Sequence, residues 1–205
     1  MFTGIVQGTA KLVSATRKTG LHSYTFEFPV DKSMTNTGAS VALNGSCLTV
    51  TRAEANQLSF DLMAETLELT NLDTLQEGEL VNYEHAAKMG DEVGGHVLSG
   101  HIHCLAEIKE TKVTPNNLEL RFTVPADWAK YIFNKGYIAI NGASLTVGDV
   151  KDNCFSVYLI PETLKITTFA RLAAGDCVNI EVDAQTQAIV DTLERILPDY
   201  LAQQP

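Results

Sequence analysis

The chain has 205 residues, which at about 150 residues per domain makes one to two domains. Asp and Glu outnumber Lys and Arg by 25 to 15, and the net charge of -10 excludes phosphate backbones and anionic membrane surfaces as main partners. A composition that is 45% apolar and 20% charged is that of a globular chain, and no apolar run approaches the ~18 residues of a membrane span.

The first segment, Met1-Phe2-Thr3-Gly4-Ile5-Val6, carries neither a basic leader nor an apolar stretch of signal type, so a cytoplasmic protein is expected. Cys47, Cys104, Cys154 and Cys177 are far apart with no C-x-x-C pair, the spacing of free thiols in a reducing compartment. Ala42-Leu43-Asn44-Gly45-Ser46-Cys47-Leu48-Thr49-Val50 then opens a repeat, for it returns as Ala139-Ile140-Asn141-Gly142-Ala143-Ser144-Leu145-Thr146-Val147. Between residues 42–84 and 139–181, displaced by 97, 18 of 43 positions are identical, where ordinary residue usage gives about two or three. Thr3-Gly4-Ile5-Val6 also pairs with Ser99-Gly100-His101-Ile102 at a displacement of 96. The chain therefore reads as two copies of one domain, divided near Gly94-Gly95.

Asn-Gly at 44–45 and at 141–142 predicts tight turns. Residues 118–124 and 155–159 alternate with a period of two, and six or so short strands in ~90 residues predict a small barrel in each copy. Pro125-Ala126-Asp127-Trp128, followed by Tyr131 and Ile132, predicts one short helix per copy, ended by Gly136. After Asp183 the pattern changes: Ile189, Leu193, Ile196 and Tyr200 form the apolar stripe of a helix that has no counterpart after the first copy. Folding back onto its own chain and packing against the same helix of another subunit both stay open.

The densest collection of reactive side chains is Gly95-His96-Val97-Leu98-Ser99-Gly100-His101-Ile102-His103-Cys104. Zinc is disfavoured there, because strand alternation puts His101 and His103 on one face and Cys104 on the other, with no H-x-x-H or C-x-x-C to supply further ligands. His96 and His103 read as hydrogen-bonded barrel residues, whereas His101 interrupts the repeat where the first copy has Ile5. Cys47 breaks the symmetry in the same way, facing Ser144 in the second copy, and both an inert buried thiol and a functional one fit. Glu65-Thr66 and Glu162-Thr163 read either as polar strand ends or, because they recur at one register, as groups that grip the same ligand. Neither G-x-x-x-x-G-K nor G-x-G-x-x-G occurs, so a nucleotide is not the expected ligand.

Taken in order, Met1-Phe2-Thr3-Gly4-Ile5-Val6, Asn44-Gly45-Ser46-Cys47-Leu48-Thr49-Val50, Gly94-Gly95-His96, Ser99-Gly100-His101, Ile160-Pro161-Glu162-Thr163-Leu164 and Asp183-Ala184-Gln185-Thr186-Gln187 resemble the riboflavin synthase family over essentially the whole chain. The resemblance implies an all-β fold, two tandem homologous six-stranded Greek-key barrels with a C-terminal α-helix, in units 1–93, 94–183 and 184–205. The last unit would drive a homotrimer whose active site lies between neighbouring subunits. The implied reaction dismutates two molecules of 6,7-dimethyl-8-ribityllumazine without metal or cofactor: one gains a four-carbon unit and becomes riboflavin, and the other leaves as a ribitylamino-pyrimidinedione.

By the same resemblance His101 is the leading candidate for the base at the acidic methyl group on ring position 7. Cys47 is a nucleophile or positioning thiol, and Ser40, Ser144, Thr146 and Asp183 are polar partners around the two rings. Gly4, Ile5, Val6, Leu48, Thr49, Asp61, Leu62, Met63, Ala64, Glu65, Thr66, Gly100, Ile102, Lys135, Leu145, Tyr158, Leu159, Ile160, Pro161, Glu162 and Thr163 match positions that line the family's ligand pockets. Ser46, where relatives can carry a second Cys, is a small departure. A duplicated barrel suits a reaction whose two substrates are the same molecule. Two other classes compete: a non-catalytic lumazine or flavin carrier, against which Cys47, His101, Ser144 and Thr146 all stand intact, and a metal-dependent enzyme built on His96, His101, His103 and Cys104.

Overall fold

The structure, a computed structural model, describes residues 1–29, 35–115 and 117–202. The first copy consists of β1 (Gly8–Lys18), β2 (Leu21–Glu27), β3 (Ser40–Leu43), β4 (Ser46–Glu54), β5 (Gln57–Met63), α1 (Ala64–Leu69) and β6 (Leu80–His85). The second consists of β7 (Cys104–Val113), β8 (Leu118–Thr123), α2 (Ala126–Ala129), β9 (Tyr137–Ile140), β10 (Ala143–Lys151), β11 (Cys154–Leu159), α3 (Pro161–Ile166) and β12 (Cys177–Val182), and α4 (Ala184–Ala202) follows it. Each set of strands closes into an antiparallel Greek-key barrel. The cyclic order is β1-β2-β5-β4-β3-β6 in one and β7-β8-β11-β10-β9-β12 in the other, so the sequence repeat is a repeat of topology.

Alternation along the strands fills each barrel. Tyr24 and Phe26 on β2 and Leu58, Phe60 and Leu62 on β5 point inward and are fully buried, as are Leu120 and Phe122 on β8 and Val157 and Leu159 on β11. Each such side chain contributes roughly 1.5–3 kcal/mol on burial. Among the described residues these belong to two separate main cores, one in each barrel, with Phe2, Ala42, Leu98 and Ala139 forming a small third cluster.

The two barrels meet through their Asn-Gly turns. Asn44 and Gly45 have φ of 44° and 82°, and Asn141 and Gly142 have 43° and 81°, the left-handed pair that a two-residue type I′ hairpin needs. The turns lie back to back, so that a Cβ on Gly45 would sit 2.7 Å from the Gly142 nitrogen and one on Gly142 2.9 Å from the Gly45 nitrogen. Buried asparagines then bind the joint symmetrically. Asn82 N donates to Asn44 Oδ1 (2.9 Å) and its Nδ2 to the Asn141 carbonyl (3.0 Å), while Asn179 N donates to Asn141 Oδ1 (2.8 Å) and its Nδ2 to the Asn44 carbonyl (2.8 Å).

Three local expectations change. The helix expected after Pro125 is a single turn, Ala126–Ala129, and its counterpart in the first copy falls partly at 30–34, outside the described residues. Glu65-Thr66 and Glu162-Thr163 lie in six-residue helices, α1 and α3, and not at strand ends. Pro161 pre-sets φ for the first turn of α3, Glu65 and Glu162 sit where the helix N-terminus favours a carboxylate, and both helices end with a threonine hydroxyl, Thr70 or Thr167, that donates to the carbonyl four residues back (2.6 Å each). His101 and His103 precede β7 instead of alternating within it.

α4 folds back onto its own chain, and its apolar stripe stays outside that contact. Asp183 caps its first turn, Oδ2 accepting from Thr186 N (2.8 Å) and Oγ1 (2.7 Å). One face docks on the second barrel, where Val190 packs on the core, Asp191 accepts from the Tyr131 hydroxyl and Glu194 pairs with Lys130. Ile189, Leu193, Ile196 and Tyr200 stay more than half exposed. Residues 203–205 of the predicted tail lie outside the described residues. No helix among the described residues is long and apolar enough to cross a membrane.

Candidate active site

Two straps carry the short Gly-x-x segments of the repeat, and they are exchanged between the copies. The first strap, Thr3 to Val6, leaves the first copy and lies on the second barrel: the Gly4 carbonyl accepts from Ser144 N (2.8 Å) and Val6 is built into the second core. The other strap, Ser99 to Ile102, lies on the first barrel, with the Gly100 carbonyl accepting from Cys47 N (2.8 Å). Phe2 and Leu98 join the two straps in a β-bridge. A buried carboxylate anchors each. Glu84 accepts from Thr3 N (2.6 Å), Thr3 Oγ1 (2.8 Å) and Gly4 N (3.0 Å), and Glu181 accepts from Ser99 N (2.7 Å), Ser99 Oγ (2.7 Å) and Gly100 N (3.0 Å). Burial raises the pKa of both carboxyls while the N–H and O–H donors pull the other way.

The exchange makes the pocket at Cys47 a composite of the two copies. Cys47, Glu65, Thr66, Gly100, His101 and Ile102 line one cleft of about 410 Å³, together with Ser46, Leu69 and Thr70. Cys47 at the start of β4 is half-buried and His101 is exposed on the strap, so a thiol and an imidazole line one concavity from different copies of the repeat. Ser99 Oγ accepts from His101 N (3.1 Å), which ties the His101 backbone to the Glu181 anchor.

The corresponding place in the second copy holds Gly4 and Ile5 on the strap, Ser144 and Leu145 on β10, and Glu162 and Thr163 on α3. Beside Ser144 lies His96, which is hydrogen-bonded as the sequence reading expects. Ser144 Oγ lies 2.6 Å from His96 Nδ1, and the His96 ring is stacked on Tyr137 (centroids 5.0 Å, planes 20° apart). Burial pushes the His96 pKa down from the usual 6.5, with the Asp183 carboxylate acting the other way, so burial favours the neutral ring. Gly95 is what lets His96 come this close, because a Cβ on it would lie 2.5 Å from Ser144 Cβ. The sequence clue was Gly-Gly before a histidine, two residues without side chains next to one that has chemistry.

The remaining candidates spread along the same strands. Leu48 is buried in the first barrel, Thr49 faces solvent on β4 opposite Ser40 on β3, and Thr146 faces solvent on β10 opposite Tyr137. Asp61, Met63 and Ala64 are exposed where β5 runs into α1, with Leu62 pointing into the core, and Tyr158, Ile160 and Pro161 repeat that layout around buried Leu159. Lys135 lies in a left-handed turn (φ 65°) and is exposed. Among the described residues no hydrogen bond joins the side chains of Lys135, Ser40 or Thr146 to Cys47 or His101. Asp183 spends its carboxylate on the cap of α4.

Among the described residues no three His, Cys, Asp or Glu side chains converge as a metal site would require. Cys104 is buried and its pKa is pushed up to about 12, so it is a neutral thiol. His103 is packed on Trp128, its Nδ1 accepting from Val182 N (3.2 Å). It belongs to the joint between the second barrel and α4.

A family model for the lumazine binding domain matches residues 3–86 and again 99–183, one match per barrel. Riboflavin synthase of Escherichia coli (strain K12) is 53% identical over 200 residues, covering 96% of this chain and 93% of that one. Among solved structures, LumP complexed with riboflavin superposes with a TM-score of 0.83 at 27% identity, covering 89% of this chain and 100% of that chain. LumP complexed with 6,7-dimethyl-8-(1'-D-ribityl) lumazine gives 0.82 at 25% identity, covering 89% and 99%.

Proposed function

The chain belongs to the riboflavin synthase family, and we propose that it dismutates 6,7-dimethyl-8-ribityllumazine. One molecule passes a four-carbon unit to a second and leaves as 5-amino-6-(ribitylamino)pyrimidinedione, and the second becomes riboflavin. The observation that carries this reading is the composite cleft at Cys47 and His101 together with its repeat-related counterpart in the second copy, alike in Glu-Thr helix and Gly strap but unlike at Cys47 against Ser144 and at His101 against Ile5. Likeness lets both pockets take the same molecule; unlikeness lets one act as donor and the other as acceptor. Holding two flat heterocycles in register can supply several kcal/mol through effective molarity. In this reading His101 moves the proton of the acidic methyl group on ring position 7, and Cys47 acts on the ligand from the barrel side of the same cleft.

Ser40, Ser144, Thr146, Asp183 and Lys135 are assigned as supporting polar groups. The units are 1–93, 94–183 and 184–205, with α4 assembling a homotrimer in which the first pocket of one chain faces the second pocket of its neighbour. The apolar stripe of α4, exposed although the helix is docked, supports that assembly. Four free cysteines with no disulfide among the described residues support a cytoplasmic location. The carrier reading remains the alternative, and the thiol and imidazole in one cleft weigh against it. Purified protein incubated with ribityllumazine, with and without excess chelator, tests the assignment: riboflavin fluorescence in both samples is the expected result, and tight binding of the lumazine with no product would make the protein a carrier.

A further inference from the structure

We propose that His96 is a positioning residue that holds the Ser144 hydroxyl as a hydrogen-bond donor into the second pocket, so that this pocket selects an acceptor on its ligand. The proposal rests on the ligand-binding reading of that pocket given above. Its starting point is how tightly the ring is fixed: His96 is 7% exposed, Tyr137 covers one face, and the chain before it has no space even for a methyl group beside Ser144. A contact of 2.6 Å held this way sets the direction of the hydroxyl.

The direction follows from the other ring nitrogen. His96 Nε2 is buried and has no hydrogen-bond partner among the described residues. A neutral imidazole carries one proton. If it sat on Nε2, the ring would bury an N–H with no acceptor, and orphaned donors are the rarer and costlier case. With the proton on Nδ1, the ring donates to Ser144 Oγ and leaves only a lone pair unsatisfied at Nε2. Burial lowers the pKa of this histidine, which agrees with a neutral ring.

One lone pair of Ser144 is then occupied and its own O–H is uncommitted, for the side chain makes no other hydrogen bond among the described residues. Ser144 is half-buried beside Gly4, and the free O–H is left to face the ligand. Its partner must be an acceptor: a ring carbonyl or an unprotonated ring nitrogen of a pyrimidinedione-type heterocycle. Cys47, at the same register of the first copy, makes no side-chain hydrogen bond among the described residues, and a thiol is a weak donor in any case. The two pockets thus differ by a wired hydroxyl against an unwired thiol, which goes beyond a change of one atom.

Three measurements test this on the full chain. In the wild-type protein, two-bond ¹H–¹⁵N correlations of the His96 ring should show the proton on Nδ1. Titration of ribityllumazine followed by its fluorescence should show one of the two sites per chain weakened roughly 3–10-fold by His96→Gln and by Ser144→Ala, the double variant being no weaker than Ser144→Ala alone. His96→Asn, whose amide N–H can stand where Nδ1–H stood, should recover most of the loss. A purely structural role would lower thermal stability without that coupling or that recovery. A proton found on Nε2, or losses that add in the double variant, would overturn the proposal. Failure of the wild type to make riboflavin would sink the enzymatic reading instead, and the titration would still decide the role of His96.

Discussion

Cys47 and His101 stand at matched places of the repeat with Ser144 and Ile5, and the cleft that joins them is the point where chemistry and binding separate. Cys47→Ser and His101→Gln should lower turnover by something like the ~10²–10⁴ expected for a lost nucleophilic or acid–base group, with ribityllumazine affinity shifting far less. Ser144→Cys should not rescue Cys47→Ser, because Ser144 sits against His96 and a different strap. Single-turnover rates and ligand titrations check this, and near-normal turnover in both single variants would leave proximity alone as the catalyst. The asymmetry at these two positions is readable from the sequence because the repeat supplies a built-in comparison. The His96–Ser144 contact is not, since a lone histidine has no spacing to betray its partner.

Protonation gives a second test at this scale. Burial depresses the pKa of both His96 and His103 below 6.5. The unfolded chain binds their protons near 6.5 and the folded chain only at lower pH, so their contribution to stability is complete above about 6.5 and falls away as pH drops toward the folded values. Glu84 and Glu181, whose pKa values are raised by burial, act with the opposite sign, so a difference measurement is needed. His103→Gln should flatten the loss of stability between pH 7 and pH 5, as read by urea unfolding at several pH values. A parallel, unchanged pH dependence would show that His103 is not a buried neutral group.

At the scale of elements, the strands and Asn-Gly turns follow directly from alternation and composition, whereas α1 and α3 escaped. Six residues such as Ala64–Leu69 are too few for a helical period to register, and only Pro161 and the glutamates of the first turns mark them. The tail was recognised as a helix, yet its stripe could not say which surface it covers. The structure divides the labour: Val190, Asp191 and Glu194 hold α4 to its own barrel, and Ile189, Leu193, Ile196 and Tyr200 are left outside. Deleting 186–205 should therefore leave two folded barrels, the second somewhat less stable for uncovering Tyr131, and a monomer with little activity. Sedimentation showing an unchanged, fully active trimer would contradict that.

At the scale of the whole molecule, the duplication was visible as an 18-in-43 match, but the exchange of straps was not. A displacement of 96 or 97 residues is the same whether Gly4 to Val6 serves its own barrel or the other one. Because Gly100 to Ile102 completes the pocket at Cys47, residues 1–92 alone lack part of their site, and the symmetry of the joint offers a remedy. Asn44, Gly45 and Asn82 face copies of themselves in Asn141, Gly142 and Asn179, so the fragment should fold, pair with itself through the same turns, and bind lumazine or flavin as a dimer with no turnover. A monomeric fragment that still binds would mean the strap is dispensable. The central claim, that two like pockets make one donor and one acceptor of the same molecule, is tested most directly by product stoichiometry. Ribityllumazine incubated with the purified protein and no additive should disappear at two molecules for each riboflavin and each pyrimidinedione formed, as read by chromatography over the full course. Riboflavin appearing in any other ratio to lumazine consumed, or not at all, would contradict the account.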